Sequence, residues 1–282
     1  MPTYRYRIVN VFAQETFGGN PLAVFDQATG LNDGQMQKIA QQLNLSETTF
    51  VFAAEPGSAA DVKVRIFTPG YELPFAGHPT LGTAWTIALS TQQTAVKLGL
   101  KAGDIPVDID GDYATLTANA PVYRDAAPAA DIAAALGTAP ETLAGTPLFV
   151  DVGSEQLVVA LKTPADVAAC KPPLDLFVPA TRTGQNRSVA LVWAWANDHE
   201  IIARFFWVQA GAISEDFGTG SACANLGGWL LRNNAQLPLT ATMIQGHGIN
   251  RLAHLKLTLT AEGQIKVGGR IVPIGSGELT LD

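Results

Sequence analysis

The sequence predicts an α+β fold of two pseudo-symmetric halves, each a mostly antiparallel sheet around one central helix. Three observations carry this. Short alternating strands punctuated by Gly, Pro and Asp dominate both halves, and each half holds one long apolar helical stretch. A glycine turn leading into a helix occurs twice, in PFAGHPTLGTAW and in FGTGSACANLGGW. Matching segments also recur near half the chain length of 282 residues. Arg65-Ile66-Phe67 and Arg204-Phe205-Phe206 lie 139 residues apart, Gly77 and Gly220 lie 143 apart, and Trp85 and Trp229 lie 144 apart.

Taken in order, Tyr4 to Phe12 alternates and is rich enough in β-branched residues to be a strand, and Leu22 to Phe25 follows a Gly18-Gly19-Asn20-Pro21 loop. Asn32-Asp33-Gly34 reads as the start of an amphipathic helix from Gln35 to Leu43, with Met36, Ile39, Ala40 and Leu43 on one face. Strands are expected ending at Phe52 and from Val62 to Thr68, then a helix from Thr80 to Leu89 behind the first glycine turn. Val96–Leu100, Val107–Ile109 and Ala114–Thr117 complete the first half as short strands. An Ala/Pro-rich stretch starting at Asn119 reads as a linker with one short helix near Asp131 to Leu136. The pattern then restarts with strands at Leu148–Val152 and Leu157–Leu161 and a short helix at Pro164–Cys170. Strands at Ser188–Trp195 and Ile201–Gln209 lead into the second glycine turn and a helix from Ser221 to Leu231. Short strands fill the rest, with Gly246, Gly248, Gly263, Gly268-Gly269 and Gly275 as turns. Residues 1–118 and 119–276 are the expected halves, with a strand at 277–282 returning to the first.

Bulk properties exclude several functions. A net charge of −7 with scattered Lys and Arg offers no basic face for nucleic acid. No run approaches the roughly 18 apolar residues of a membrane helix. Cys170 and Cys223 cannot form a disulfide framework and fit a reducing cytoplasm. His78, His199, His247 and His254 stand singly, without metal-ligand spacing.

The candidate chemistry lies in three places. Glu47, in LSETTFVF, sits beside an apolar run; lost hydration there raises a carboxyl pKa and suits it to proton exchange near neutrality, although an exposed strand-edge carboxylate fits the position too. His78, between Gly77 and Pro79, can serve a substrate carboxylate or a proton transfer, or simply brace the turn. In SEDFGTGSA, Asp216 precedes Thr219, Gly220 and Ser221 at a helix start, where backbone N–H groups and hydroxyls suit an anion and Ser221 is also a plausible helix cap. Glu72 is expected to meet solvent or the helix. Cys223 reads as a packed small residue rather than a nucleophile, and Arg251 as a carboxylate contact or a structural ion pair.

Together, FGGNPLAV, SETTFVF, FTPGYELPFAGHPTLGTA, SEDFGTGSA and the later QG…R segment resemble the PhzF-type phenazine-biosynthesis family over nearly the whole chain. The resemblance implies the diaminopimelate-epimerase fold with its active site between the halves, a homodimer, and no cofactor. It casts Glu47 as the acid/base, with His78 and Asp216 as catalytic helpers. Asn20, Gly77, Thr219, Gly220 and Ser221 become substrate-binding residues. The implied activity is isomerisation of a small, cyclic, carboxylate-bearing metabolite like a dihydro-hydroxyanthranilate. Epimerases of this fold use two opposed cysteines; Ala76 and Phe217 fall where those thiols are expected, which disfavours that mechanism. An amino-acid or hydroxy-acid racemase and a non-catalytic metabolite-binding protein remain the alternatives.

Overall fold

The computed structural model describes residues 1–209 and 211–281. The chain divides into two compact units, Met1–Thr117 with Gly268–Asp282 and Ala118–Val267.

In unit one, β1 (Thr3–Val11), β2 (Asn20–Phe25), α1 (Asp33–Leu43), β3 (Glu47–Ala53), β4 (Val62–Phe67), β5 (Glu72–Leu73), α2 (Gly77–Thr91), β6 (Ala95–Leu100), β7 (Gly103–Asp110) and β8 (Tyr113–Thr117) follow one another. Strands β1 and β2 form an antiparallel pair, β2 and β3 run parallel across α1, and β4 pairs antiparallel with both β3 and β5. Strand β6 returns parallel to β4 after α2. Asn32 starts α1 through a capping box: its side chain accepts from Gln35 N–H while the Gln35 side chain accepts from Asn32 N–H. Met36, Ile39 and Ala40 then pack under Phe25, Phe50 and Phe67. Phe50 stacks on Phe25 at 5.1 Å and meets Phe67 edge-on at 5.5 Å.

Helix α2 is apolar all round, and every residue from Gly77 to Ala88 is buried. Its buried hydroxyls are satisfied locally: Thr80 and Thr86 donate to the carbonyls of Ala76 and Gly82, and Thr83 shares a 2.8 Å bond with Thr49. Gly82 lets the helix lie against the sheet, because a Cβ there would come within 2.6 Å of Leu22 and 2.8 Å of Val11.

Unit two comprises β9 (Val122–Asp125), α3 (Ala129–Ala135), β10 (Leu148–Asp151), β11 (Gln156–Ala160), α4 (Pro164–Ala169), α5 (Leu174–Ala180), β12 (Val189–Asn197), β13 (Glu200–Gln209), β14 (Ala212–Glu215), α6 (Gly220–Arg232), β15 (Leu239–Gln245), β16 (Ala253–Leu259) and the start of β17 (Ile265–Thr280). The pairing programme repeats: β11 runs parallel to β12, β13 pairs antiparallel with β12 and β14, and β15 returns parallel to β13 after α6. Helix α6 is buried from Ala222 to Leu230. Gly227 permits its close approach; a Cβ there would reach 2.8 Å from Ile265. Trp85 of α2 and Trp229 of α6 each donate their indole N–H to a loop carbonyl, of Gly111 and of Thr146.

Three local expectations are corrected, and one helix is added. The supposed linker contains β9, which pairs with β10. Residues 174–180 form a helix despite flanking prolines and Pro179 within it. Strand β13 folds back as a hairpin onto β14 before the second glycine turn. Gly268, Gly269 and Gly275 are not turns but lie inside β17, whose later part pairs with β1 and β8 in unit one. A Cβ on Gly268 would sit 2.6 Å from the Ala114 carbonyl, so glycine serves close strand approach here.

Candidate active site

In unit one, strand β3 begins at Glu47 and helix α2 begins at Gly77, which brings Glu47 and His78 together. His78 Nδ1 lies 3.1 Å from Glu47 Oε2, with the side chains 5% and 16% exposed. That distance is within reach of direct proton transfer. His78 occupies the first turn of α2 rather than the turn ahead of it. Burial drives its pKa well below the ordinary histidine value, only partly offset by the Pro21 carbonyl, so the imidazole is neutral. Glu47 is opposite Leu22 across the parallel β2–β3 pair, and Leu22, Thr48, Thr49 and Phe50 around it are fully buried. Asn20, the first residue of β2, is buried as well.

The N-cap of α2 is Ala76, which supplies no side-chain cap, so the helix start presents backbone N–H donors and its positive dipole end without a competing side chain. Glu72 turns to neither solvent nor helix. It takes a bidentate contact from Arg65 at 2.7 and 2.8 Å, and this guanidinium holds its carboxyl below the usual range.

In unit two, Asp216, Thr219, Gly220 and Ser221 form the start of α6. Asp216 accepts from the Thr219 hydroxyl at 2.5 Å and from the Phe217 N–H at 2.9 Å. Thr219 is the N-cap yet makes no side-chain cap bond; Ser221 lies within the first helical turn, so it is not the cap. Its Oγ accepts from Gln156 Nε2 at 2.8 Å. Aligning the two helix starts matches Ala76 with Thr219, rather than with Phe217, and neither is a thiol. Burial raises the thiol pKa of Cys223, and that of Cys170 to about 11, so both cysteines stay protonated and packed near neutral pH. Arg251 stacks over the Phe217 ring at 5.4 Å, and desolvation lowers its pKa.

Three buried amides were not named among the candidate site residues, although Gln245 opens the QG…R segment. Gln245, fully buried, accepts from Thr219 N–H and donates to Thr219 Oγ1 and the Asp216 carbonyl, fixing the turn. Gln156 and Asn225 lie behind Ser221. Their one sequence signal is a polar residue where apolar neighbours surround it, at the head of QLVVA and within ACANLGG. Among the described residues no cluster of three or more His, Cys, Asp or Glu is placed to hold a metal ion, and no helix is long and apolar enough to cross a membrane.

Two repeated α+β units, each with a buried central helix that starts at a glycine, have the diaminopimelate-epimerase type of fold, and the relatives of this chain are named isomerases. Residues 9–277 match the family model described as phenazine biosynthesis-like protein, and the chain belongs to that PhzC–PhzF family. It is 40% identical to an uncharacterized isomerase of Pasteurella multocida, over 98% of this chain and 94% of that protein. It is 30% identical to the trans-2,3-dihydro-3-hydroxyanthranilate isomerase of Pseudomonas aeruginosa, over 99% of this chain and 100% of that protein. A crystal structure of a PhzF-family protein from Bacillus anthracis superposes over the whole of both chains with a TM-score of 0.85 at 22% identity, which shows the shared fold.

Proposed function

We propose that this isomerase moves a proton between two carbons of a small, cyclic, carboxylate-bearing metabolite, with Glu47 as the single acid/base. The observation that carries the reading is the buried Glu47–His78 pair at 3.1 Å. Glu47 takes a proton from one ring carbon and returns it to another, so its protonation state is restored each turnover and no redox partner enters. His78, kept neutral by burial, orients the carboxyl without adding a second charge. Asp216 helps position the substrate, and Asn20, Gly77, Thr219, Gly220 and Ser221 bind it. The uncapped helix starts suit its carboxylate. Non-thiol residues at both helix starts, and two buried protonated cysteines, argue against two-thiol racemisation.

The relatives named for trans-2,3-dihydro-3-hydroxyanthranilate make that compound the first substrate to test. In deuterated buffer, wild-type protein should convert it with a shifted double bond, and Glu47→Gln should lose at least about 100-fold in rate while its circular dichroism and melting temperature hold. Unchanged turnover by Glu47→Gln removes Glu47 from the chemistry. No turnover by the wild type removes this substrate.

A further inference from the structure

Behind Ser221 the side-chain amides form a chain whose hydrogen-bond directions can be assigned without choice. Val152 N–H donates to Asn225 Oδ1 at 3.1 Å, and a backbone N–H can only donate. Asn225 Nδ2 donates to the Ser154 carbonyl at 2.8 Å, and a carbonyl can only accept. Both ends of the Asn225 amide are therefore fixed by backbone. The same Nδ2 donates to Gln156 at 2.9 Å, so the atom receiving it must be Oε1. The Gln156 amide is then also fixed, with Nε2 facing Ser221 Oγ at 2.8 Å. Gln156 is 3% exposed and Asn225 fully buried, so neither amide flips cheaply.

An Nε2 group has hydrogens and no lone pair to offer. Ser221 Oγ must accept from it, and the hydroxyl hydrogen must point to some other acceptor. From this geometry we infer that Gln156, locked by Asn225, is a positioning residue that sets Ser221 as a hydrogen-bond donor and makes this helix start select a carboxylate over its uncharged carboxamide. The inference rests on the proposed role of Ser221 in holding the substrate carboxylate. A serine free to rotate would meet either group, donating to a carboxylate or accepting from an amide N–H. With one of its two lone pairs taken by Gln156 and its hydrogen directed away from that amide, Ser221 donates to a carboxylate oxygen, and the charge-assisted bond favours the carboxylate over the neutral amide oxygen.

The test measures binding of 3-hydroxyanthranilate and of 3-hydroxyanthranilamide by titration calorimetry, in wild type, Gln156→Met, Gln156→Glu and Ser221→Ala. Wild type should favour the carboxylate. Gln156→Met, similar in volume and without a donor, should cut that preference by about tenfold. In turnover of trans-2,3-dihydro-3-hydroxyanthranilate its KM should rise by more than its kcat falls, which a merely structural defect would not produce. Gln156→Glu can accept from both Asn225 and Ser221, which turns the serine hydrogen inward; the preference should then fall further or invert. Ser221→Ala combined with Gln156→Met should cost little more than Ser221→Ala alone, because both act through one hydroxyl.

Wild-type selectivity retained in Gln156→Met, with Ser221→Ala impaired, overturns the relay and leaves the proposed function standing. Undiminished carboxylate binding in Ser221→Ala overturns the relay together with the anchoring role of Ser221. Should Gln156→Glu fail to fold, Gln156→Met and the double variant decide the question.

Discussion

The two units share a scaffold and differ in what they place on it. In unit one, Arg65 on β4 clamps Glu72 and lies 5.1 Å from the Phe67 ring; in unit two, Arg204 on β13 clamps Glu215 and lies 4.6 Å from the Phe206 ring. Each central helix starts with Gly at an uncapped N-terminus and later uses a glycine to approach the sheet closely. Over this common frame the polar residues diverge. Arg65 is opposite Phe50, and Glu47 lies three residues before it; Arg204 is opposite Val192, and the residue three before is Val189. The second helical residue is His78 in one unit and Ser221 in the other. Leu22 faces Glu47 in register, whereas Gln156, one residue before the Leu157–Ala190 pair, falls beside Val189. One unit thus carries a titratable pair and the other a hydroxyl fixed by amides. Packing demands are met twice with the same residue types, and the chemistry is added where packing leaves room.

The largest effect that separates the units should come from the arginine clamps. Arg204 and Glu215 are 15% and 7% exposed, against 23% and 25% for Arg65 and Glu72. Arg204 also caps the carbonyls of Ala168 and Cys170 at 3.1 and 2.8 Å. Arg204→Ala strands a buried carboxylate and should cost about 3–5 kcal/mol in urea unfolding, against about 1–2 kcal/mol for the more solvated Arg65→Ala. Equal losses would mean that the two clamps bear equal load.

A middle-sized effect distinguishes His78 from Ser221. Because burial lowers the folded-state pKa of His78 below the unfolded value of 6.5, the unfolded chain takes up this proton first as the pH falls. The neutral imidazole's contribution is complete above pH 6.5 and declines below it, with a slope approaching about 1.4 kcal/mol per pH unit. His78→Asn should flatten the fall in melting temperature between pH 7 and 5, while Ser221→Ala should leave that slope alone. A steep fall persisting in His78→Asn would assign the acid sensitivity elsewhere.

The smallest effect tests the crossover helices. Helix α1 begins with the Asn32–Gln35 capping box and α4 with Thr163–Asp166. Asn32→Ala and Thr163→Ala should each cost about 1 kcal/mol by chemical denaturation. A much larger loss at either would show that the capping box holds more of its unit together than the first turn of one helix.

Much of this architecture could be read locally. The alternation of Val62, Val64 and Ile66, the cap at Asn32 and the apolar run after Gly77 each describe the element they form, because their signals sit within a few residues. What failed was information that lives across space. Val122–Asp125 becomes a strand because Leu148–Asp151 supplies its hydrogen bonds, and nothing in an Ala/Pro-rich stretch announces that partner. Gly268 reads as a turn until Ala114 and Thr115 are seen pressing on it. Glu47 and His78 could be nominated singly as polar residues at apolar edges, but their 3.1 Å approach depends on where β3 and α2 start. Gln156, Asn225 and Gln245 carried too little local signal, since their meaning is which atom each amide faces.

Strand β17 has a consequence for how the molecule is made. Its residues Ile271 to Thr280 pair with Val11 back to Thr3, joining strands far apart in sequence. During synthesis, β1 emerges long before its partner in β17, so one flank of β1 stays an open edge until β17 is made. Unit two, a single uninterrupted stretch from Ala118 to Val267, has no such wait. Unit two should therefore close before unit one, which is completed only when Gly268 onward has been made. Until then the waiting flank of β1 is where a nascent chain is most exposed to pairing with the wrong strand.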